Sequence, residues 1–160
     1  MPHRNVEETM SDTANKVTIT RPGEGRCYNV LGAPITVMSS GDTRELFFAH
    51  HPVPAGFGVP MHLHHDEDEM VYVVEGEIIF ETAEGETLVG PGTFVHLPRG
   101  VAHGFSNRSG KDALMVAVAS AGGALEGVFR ELDEEARKAP LDGPTIGGVL
   151  ARNRLELLAG

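Results

Sequence analysis

The chain is poor in cysteine and in aromatic residues. It has one cysteine, Cys27, no tryptophan and two tyrosines among 160 residues. A single cysteine cannot form a disulfide within the chain, so the sequence does not describe a disulfide-stabilised secreted domain. An aromatic fraction of 6% without tryptophan also indicates no platform on which a carbohydrate ring could stack.

Positive charge and long apolar runs are scarce as well. The chain has 13 Lys and Arg against 23 Asp and Glu, a net charge of −10, which disfavours nucleic acid and anionic membranes as partners. The longest uninterrupted apolar run, 113–119, is too short to span a bilayer, and residues 1–9 contain no apolar segment typical of a secretory signal. We therefore expect a soluble cytoplasmic protein.

Short β-rich runs separated by Gly and Pro are abundant between residues 16 and 120. The predicted strands are 17–21, 26–31, 35–38, 44–51, 59–64, 70–75, 77–82, 86–89, 93–97, 103–107 and 112–119. Such a density of short strands favours a β-sandwich or a barrel. Two turns are predicted inside this region, one at Gly76 and one at 98–100, because Pro and Gly there suit tight-turn backbone angles.

The pattern changes after residue 120, so we divide the chain into a polar N-terminal arm (1–15), a β-barrel (16–120) and C-terminal helices (121–160). Leu125, Val128, Phe129 and Leu132 recur at helical spacing and predict a helix that ends before Pro140. A second, weaker helix is predicted over about 145–158. We expect both helices to pack on the barrel or on a second subunit.

Histidine and glutamate cluster in two glycine-punctuated blocks, 56–76 and 92–107. Successive side chains of a strand alternate between faces, so His62 and His64 point the same way. Glu69 follows a short polar run, which is long enough for a bend that brings the next strand back alongside. His103 would come from a third strand facing the same interior.

These four side chains suit one divalent transition metal. Imidazole nitrogen and carboxylate oxygen bind Fe, Mn, Ni, Co, Cu and Zn alike, so the sequence does not select among these ions. Four protein ligands leave coordination positions open on an ion that prefers five or six, and open positions are typical of catalytic sites. We therefore predict a metal site formed by His62, His64, Glu69 and His103.

The two blocks resemble the two sequence motifs of the cupin superfamily. The first motif is matched at Gly56, His62, His64, Glu69 and Gly76. The second is matched at Gly92, Pro98, Gly100, His103 and Asn107. The resemblance implies an all-β double-stranded β-helix, or jelly roll, with the metal inside and a C-terminal helical extension. The chain shows no internal repeat, so one cupin unit is expected.

Within that superfamily the chain resembles small quercetin-dioxygenase-like cupins. This resemblance implies that a substrate oxygen and O₂ meet at the metal, that Glu69 is a ligand and also takes the proton of a substrate hydroxyl, and that the protein is a homodimer. Other cupins with these ligands are isomerases, cyclases, lyases and decarboxylases, and some bind a small molecule without turnover. The sequence leaves these alternatives open.

Several further residues are candidates for the substrate pocket. Phe105 shares the face of His103, and Val71 and Val73 share the face of Glu69. Tyr72 is a further candidate, together with three phenylalanines that the sequence does not rank: Phe47, Phe48 and Phe57.

The remaining histidines and acids of these blocks are expected to lie outside the site. Of the adjacent His50 and His51 only one can face inward, and we expect neither to reach the cavity. His65 and His96 are predicted to be outer-face residues. The acidic run 66–68 is predicted to be a solvated bend.

Overall fold

A computed structural model describes residues 17–39, 46–120 and 123–158 of the chain. Its elements, in chain order, are β1 (Arg26–Val30), β2 (Ala33–Val37), β3 (Leu46–Val53), β4 (Gly58–His64), β5 (Glu69–Glu75), β6 (Ile78–Thr82), β7 (Gly85–Val89), β8 (Phe94–Leu97), β9 (His103–Ser106), β10 (Ala113–Ser120), α1 (Gly123–Ala136), α2 (Gly143–Arg152) and β11 (Leu155–Leu157). The described helices include none that is long and apolar enough to cross a membrane.

The strands form two antiparallel sheets. One has six strands in the order β1-β2-β3-β10-β5-β8, and the other has five in the order β11-β4-β9-β6-β7. From β3 to β10 every connection between consecutive strands changes sheet except the hairpin from β6 to β7, which is the winding of a double-stranded β-helix. The predicted all-β jelly roll with C-terminal helices is confirmed.

Alternating burial explains which face each strand turns inward. In β10 every second residue is buried, beginning with Ala113, as expected for a strand with one face on the core. The core has two parts. One lies between the two sheets and includes Val71, Val73, Ile78 and Phe80. The other lies between the β1–β3 end of the larger sheet and the two helices.

Helix α1 forms where the apolar spacing predicts it, and its Leu125, Val128, Phe129 and Leu132 are all buried. Helix α2 begins after Asp142, whose side chain accepts a hydrogen bond from the Thr145 backbone N–H at 2.8 Å and so caps the helix.

The predicted second helix is wrong beyond residue 152. Asn153 ends α2, and β11 then pairs with β4, with Leu155 opposite His64 and Leu157 opposite His62. The five-stranded sheet therefore extends past the predicted barrel boundary at residue 120. The strand predicted at 17–21 does not form. The predicted arm 1–15 and residues 44–45 lie outside the described residues.

Gly76 makes the predicted turn and carries the chain from β5 in one sheet to β6 in the other. Its φ is +75°, a left-handed backbone that favours glycine. A Cβ at this position would also meet the Cβ of Ala113 at 2.6 Å. Any other residue would therefore disturb both the turn and the strand β10 beside it.

Candidate metal centre

Four side chains with metal-binding atoms converge between the two sheets. One donor atom from each of His62, His64, Glu69 and His103 lies within 4.8 Å of all the others. The three histidines are buried, with between 2% and 7% of their surface exposed. The structure thus brings together all four residues that the sequence nominated as ligands.

The two sheets contribute unequally to this cluster. His62 and His64 lie on β4, and His103 lies directly opposite His62 on the neighbouring strand β9. Glu69 opens β5 in the other sheet, where it pairs with Leu97 and Ala119. The expectation that the bend after His64 returns the chain alongside β4 is therefore wrong, because the bend crosses to the opposite sheet.

The backbone fixes the tautomer of His62 and of His103. Nδ1 of His62 contacts the Pro60 carbonyl oxygen at 2.9 Å, and Nδ1 of His103 contacts the Val101 carbonyl oxygen at 2.9 Å. A carbonyl only accepts hydrogen bonds, so each Nδ1 carries the proton and donates it. The lone pair of each ring is therefore on Nε2, the atom available to a metal.

The Nε2 atoms of His64 and His103 are buried, and neither has a hydrogen-bond partner among the described residues. They lie 3.6 Å and 3.5 Å from Oε2 of Glu69, too far for a good hydrogen bond. Unpaired buried acceptors beside a carboxylate are costly unless a cation joins them. The residues present therefore fit a divalent metal.

The protonation equilibria agree with a cation-binding cluster. Burial, followed by the repulsion of His103, lowers the pKa of His62 to about 4, so this ring is neutral at pH 7. Burial alone would raise the pKa of Glu69. The close approach of His103 and the neighbouring imidazoles outweigh that effect and lower the pKa of Glu69, which is therefore a carboxylate at neutral pH.

Glu67 contradicts the prediction that the acidic run 66–68 is solvated, because its side chain is buried between His64 and helix α1. Only 1% of its surface is exposed. Its Oε2 lies 3.1 Å from Nδ1 of His64, and its Oε1 accepts a hydrogen bond from the Leu125 backbone N–H at 3.0 Å. No periodicity distinguishes Glu67 from the acids on either side of it, so the sequence held no signal for this role.

The neighbouring acids behave as predicted and face solvent. Asp66 pairs with Arg154 at 2.9 Å, and Asp68 forms hydrogen bonds with Arg99 as short as 2.6 Å. The hydrogen bond from Arg99 lowers the pKa of Asp68 to about 2. These exposed pairs hold the bend on both sides of Glu67, which allows the middle residue to point inward.

A largely apolar cavity opens beside the donor cluster. Its polar wall, among the described residues, consists of His51, His62, His64 and Glu69. The apolar wall comes from both sheets, both helices and their connecting segments: Val30, Leu31, Ile35, Phe57, Val59, Pro60, Phe105, Met115, Leu125, Val128, Phe129, Leu132, Ile146, Leu150, Leu155 and Leu157.

His51 lines this cavity, which corrects the expectation that neither His50 nor His51 reaches it. Its ring is 5% exposed and makes edge contacts with Phe57 and Phe105. Its Nδ1 contacts the Pro52 carbonyl oxygen at 2.8 Å, and burial lowers its pKa. The alternation of β3 could have revealed this, since His51 shares a face with the apolar Phe47.

The predicted pocket residues divide three ways. Phe105 lines the cavity. Val71 and Val73 face inward but pack in the core between the sheets rather than in the cavity wall. Tyr72 is wrong as a pocket residue, because it lies on the opposite face of β5 and is 49% exposed.

Comparison with known proteins supports this description. A family model for the cupin domain matches residues 50–119. None of the curated proteins compared with the chain matches it.

Solved structures share the fold at low identity. A predicted oxalate decarboxylase from Thermotoga maritima is 22% identical, with a TM-score of 0.57 over 64% of this chain and 98% of that protein. The polyketide cyclase RemF from Streptomyces resistomycificus is 21% identical, with a TM-score of 0.58 over 66% and 80%. KdgF from Halomonas sp. is 20% identical, with a TM-score of 0.58 over 66% and 94%. The sequence motifs, the winding of the two sheets and the family match together show that residues 50–119 of this chain form a cupin domain.

Proposed function

We propose that this cupin is a metal-dependent enzyme, a dioxygenase that acts on an apolar aromatic or enolisable small molecule. One divalent ion of Fe, Mn, Ni, Co, Cu or Zn is held by His62, His64, Glu69 and His103. The observation that carries the proposal is the set of buried, tautomer-fixed Nε2 atoms beside a carboxylate, at the end of an apolar cavity.

The chain's own residues prepare the substrate. A bound metal supplies a Lewis acid and, if it is redox-active, the electron transfer that reaction with O₂ requires. Glu69 accepts the proton of a substrate hydroxyl or enol, because a carboxylate that can leave the metal is a competent base. The buried apolar wall excludes water from the resulting anion, which strengthens the electrostatic interactions that hold it.

The cavity supports an apolar substrate class. No lysine or arginine is found among the described residues that line it. An oxalate dianion or a sugar phosphate would therefore have no cationic side chain to bind it in this cavity. Phenylalanine rings and aliphatic side chains favour a flat aromatic or polyketide-like molecule.

His51 supplies a second polar contact to such a substrate. Its Nδ1 proton is held by the Pro52 carbonyl, so Nε2 carries the lone pair. The ring is neutral at pH 7 because burial lowers its pKa. Held against Phe57 and Phe105, it accepts a hydrogen bond from a hydroxyl of the bound molecule.

The presence of both Glu69 and His51 in the cavity wall also supports an alternative to the dioxygenase, namely a non-oxidative enzyme. Two proton-accepting groups on one cavity suit a non-oxidative isomerase, cyclase or lyase that moves protons on the same class of substrate. The polyketide cyclase RemF shows that the fold accommodates such an activity. A cupin that binds the small molecule without turnover is the remaining alternative.

The first experiment measures metal content and oxygen uptake. Protein purified without chelator is analysed for metals, then loaded in turn with Fe, Mn, Ni, Co or Cu and mixed with flavonols, catechols and 1,3-diketones. We expect about one metal per chain and O₂ uptake with at least one pair. Metal binding without any uptake, but with deuterium exchange into a 1,3-diketone, would support the non-oxidative alternative instead.

Substitution of the ligands gives the largest expected loss of metal. His62→Ala and His103→Ala should each lower metal affinity by about 100-fold or more, because each removes a direct ligand. His65→Ala is the matched control: it changes the histidine next to His64, which is exposed and contacts Glu156 at 3.4 Å. Full metal loading of the His62→Ala and His103→Ala variants would contradict the assignment.

We also propose that the partner is a second copy of this chain and that the protein works in the cytoplasm. The outer face of the six-stranded sheet is apolar and includes Phe48, Tyr72 and Phe94, with Tyr72 directly opposite Phe94. Apart from Glu75, which ends β5 opposite Leu114, none of the described residues on this face of β3, β10, β5 and β8 is Lys, Arg, Asp or Glu. Two copies could therefore meet there without like-charge repulsion, despite the net charge of −10 on each.

A further inference from the structure

Glu67 joins the candidate metal centre to helix α1 through two separate hydrogen bonds. One carboxylate oxygen lies 3.1 Å from Nδ1 of His64, and the other accepts from the Leu125 N–H at 3.0 Å. Both His64 and Glu67 are almost fully buried, at 2% and 1% exposure. A carboxylate so placed contributes to structure only through these partners, because it has little contact with water.

Only an acceptor can satisfy both partners. Leu125 lies in the first turn of α1, where backbone N–H groups have no partner within the helix. The carboxylate accepts that proton with one oxygen and the Nδ1 proton of His64 with the other. His64 is thereby held in the tautomer whose lone pair is on Nε2, the buried atom that faces Glu69.

Helix α1 in turn forms part of the cavity wall. Leu125, Val128, Phe129 and Leu132 of this helix all line the cavity beside the donor cluster. The hydrogen bond at Leu125 therefore ties the position of the wall to the orientation of His64. A change at either end of Glu67 alters the geometry that the other end requires.

We infer that Glu67 is a positioning residue that couples metal binding at His64 to the docking of helix α1 over the cavity. This inference rests on the metal site proposed above. Because coupling between two sites is reciprocal, metal bound at His64 stabilises the docked first turn of α1, and docking of that turn raises metal affinity. The bound ion therefore stabilises the wall that α1 contributes to the cavity.

The chain offers a matched control in Glu126, the residue after Leu125. Glu126 also anchors the first turn of α1, through hydrogen bonds from Arg26 and from the Tyr28 hydroxyl. These partners lie on β1, away from the four candidate ligands. Loss of the Glu126 carboxylate therefore weakens the same helix turn without removing the hydrogen bond between Glu67 and His64.

The variant Glu67→Gln tests the inference at constant side-chain shape. A glutamine amide offers one acceptor and one donor, so it can satisfy the Leu125 N–H or the His64 Nδ1–H, but not both. We expect Co²⁺ affinity, measured by chelator competition, to fall by about 10- to 100-fold. The visible absorption of bound Co²⁺ should also change, which loss of helix packing alone would not cause.

Amide hydrogen exchange measures the reverse effect, that of metal binding on the first turn of α1. In the wild type, Co²⁺ should slow amide exchange at the first turn of α1 by about fivefold or more, within the usual range of coupling between sites. Glu67→Gln should abolish this effect of Co²⁺. Glu126→Gln should speed exchange at that turn by making its rare openings more frequent. Because the turn still stays docked in most molecules, the Co²⁺ affinity should remain within about twofold and the response to Co²⁺ should persist.

The outcomes separate this inference from the metal site itself. If the wild type binds no Co²⁺, both are overturned. If the wild type binds Co²⁺ while Glu67→Gln binds it equally well, or while Co²⁺ leaves exchange at α1 unchanged in the wild type, only the role of Glu67 is overturned. The wild-type exchange measurement needs no substitution, so it decides the question even if Glu67→Gln fails to fold.

Discussion

The two faces of the six-stranded sheet are both apolar, yet they have different surroundings. The inner face is covered by the five-stranded sheet over β5 and β10 and by helix α1 over β1 to β3, and it buries Phe47 and Val73 almost completely. The outer face leaves Phe48, Tyr72 and Phe94 between 38% and 62% exposed, with no covering element in the described part of the chain.

This difference shows that alternation and burial are separate properties. Alternation along β3 or β5 assigns each side chain to one of two faces, whatever its chemistry. Burial then depends on which elements the fold brings over that face. Apolar residues on both faces make a strand difficult to orient from sequence. In β5, alternation with Val71 and Val73 already placed Tyr72 on the face opposite Glu69, so its nomination as a pocket residue went against that signal.

The largest expected effect comes from Phe47→Ala on the inner face. Phe47 is 1% exposed and packs edge-on against Phe129 of α1, with ring centroids 5.6 Å apart. Removing the ring leaves a cavity between the sheet and the helix, so the free energy of unfolding should fall by about 3–5 kcal/mol. Urea denaturation followed by circular dichroism measures this.

The neighbouring Phe48→Ala is the control, because it removes the same side chain from the opposite face. Phe48 is 38% exposed, so the loss in the monomer should stay below about 1 kcal/mol. Equal losses for Phe47→Ala and Phe48→Ala at a protein concentration where both are monomeric would show that the two faces do not differ as described.

A smaller effect on stability, but a change in assembly, is expected on the outer face. The double variant Tyr72→Ser with Phe94→Ser removes two opposed exposed rings. If the second copy covers this face, the variant should sediment as a monomer under conditions in which the wild type is a dimer. Val101→Ser, which changes an exposed apolar residue outside the sheets, should leave the dimer intact.

The smallest effect concerns how α1 is held on the inner face, and it depends on pH. The hydrogen bond from Arg26 is the main cause that lowers the pKa of Glu126, outweighing burial, and Tyr28 adds to it. A lowered pKa stabilises the folded state fully above the ordinary value of 4.5, and this stabilisation is lost as the pH falls through the lower folded-state pKa.

The measurement compares the wild type with Glu126→Gln by urea denaturation at pH 7 and pH 3. At pH 7 the wild type should be more stable by less than about 1 kcal/mol, because the pair is partly exposed. At pH 3 the difference should shrink. A difference that grows on acidification would mean that the Glu126 carboxylate does not stabilise the docked helix.

The sequence predicted most of the fold because alternation and turn residues are local signals. Ten of the strands and the apolar face of α1 were recognised, and Gly76 takes the positive φ that a turn requires. Strand β11 was missed because three residues after a helix carry too little periodicity to be distinguished from its continuation. The crossing after His64 was missed because pairing between sheets is a long-range property.

The candidate ligand set was predictable for a different reason. His62, His64, Glu69 and His103 occupy the positions of a recurring motif, and donor chemistry at those positions is specific. Glu67 was not predictable, since three consecutive acids give no indication of which one turns inward. Its role depends on an α1 amide that lies 58 residues further along the chain.

The pairing of β11 with β4 has a consequence for how the protein is made. β4 carries His62 and His64, and without β11 it would be the unprotected edge of its sheet. During synthesis this edge has no intramolecular neighbour on that side until Leu157 has emerged from the ribosome. Two of the candidate ligand histidines are therefore held by some of the latest-made residues in the described chain. A nascent chain halted after α2 would expose a strand ready to pair with another molecule.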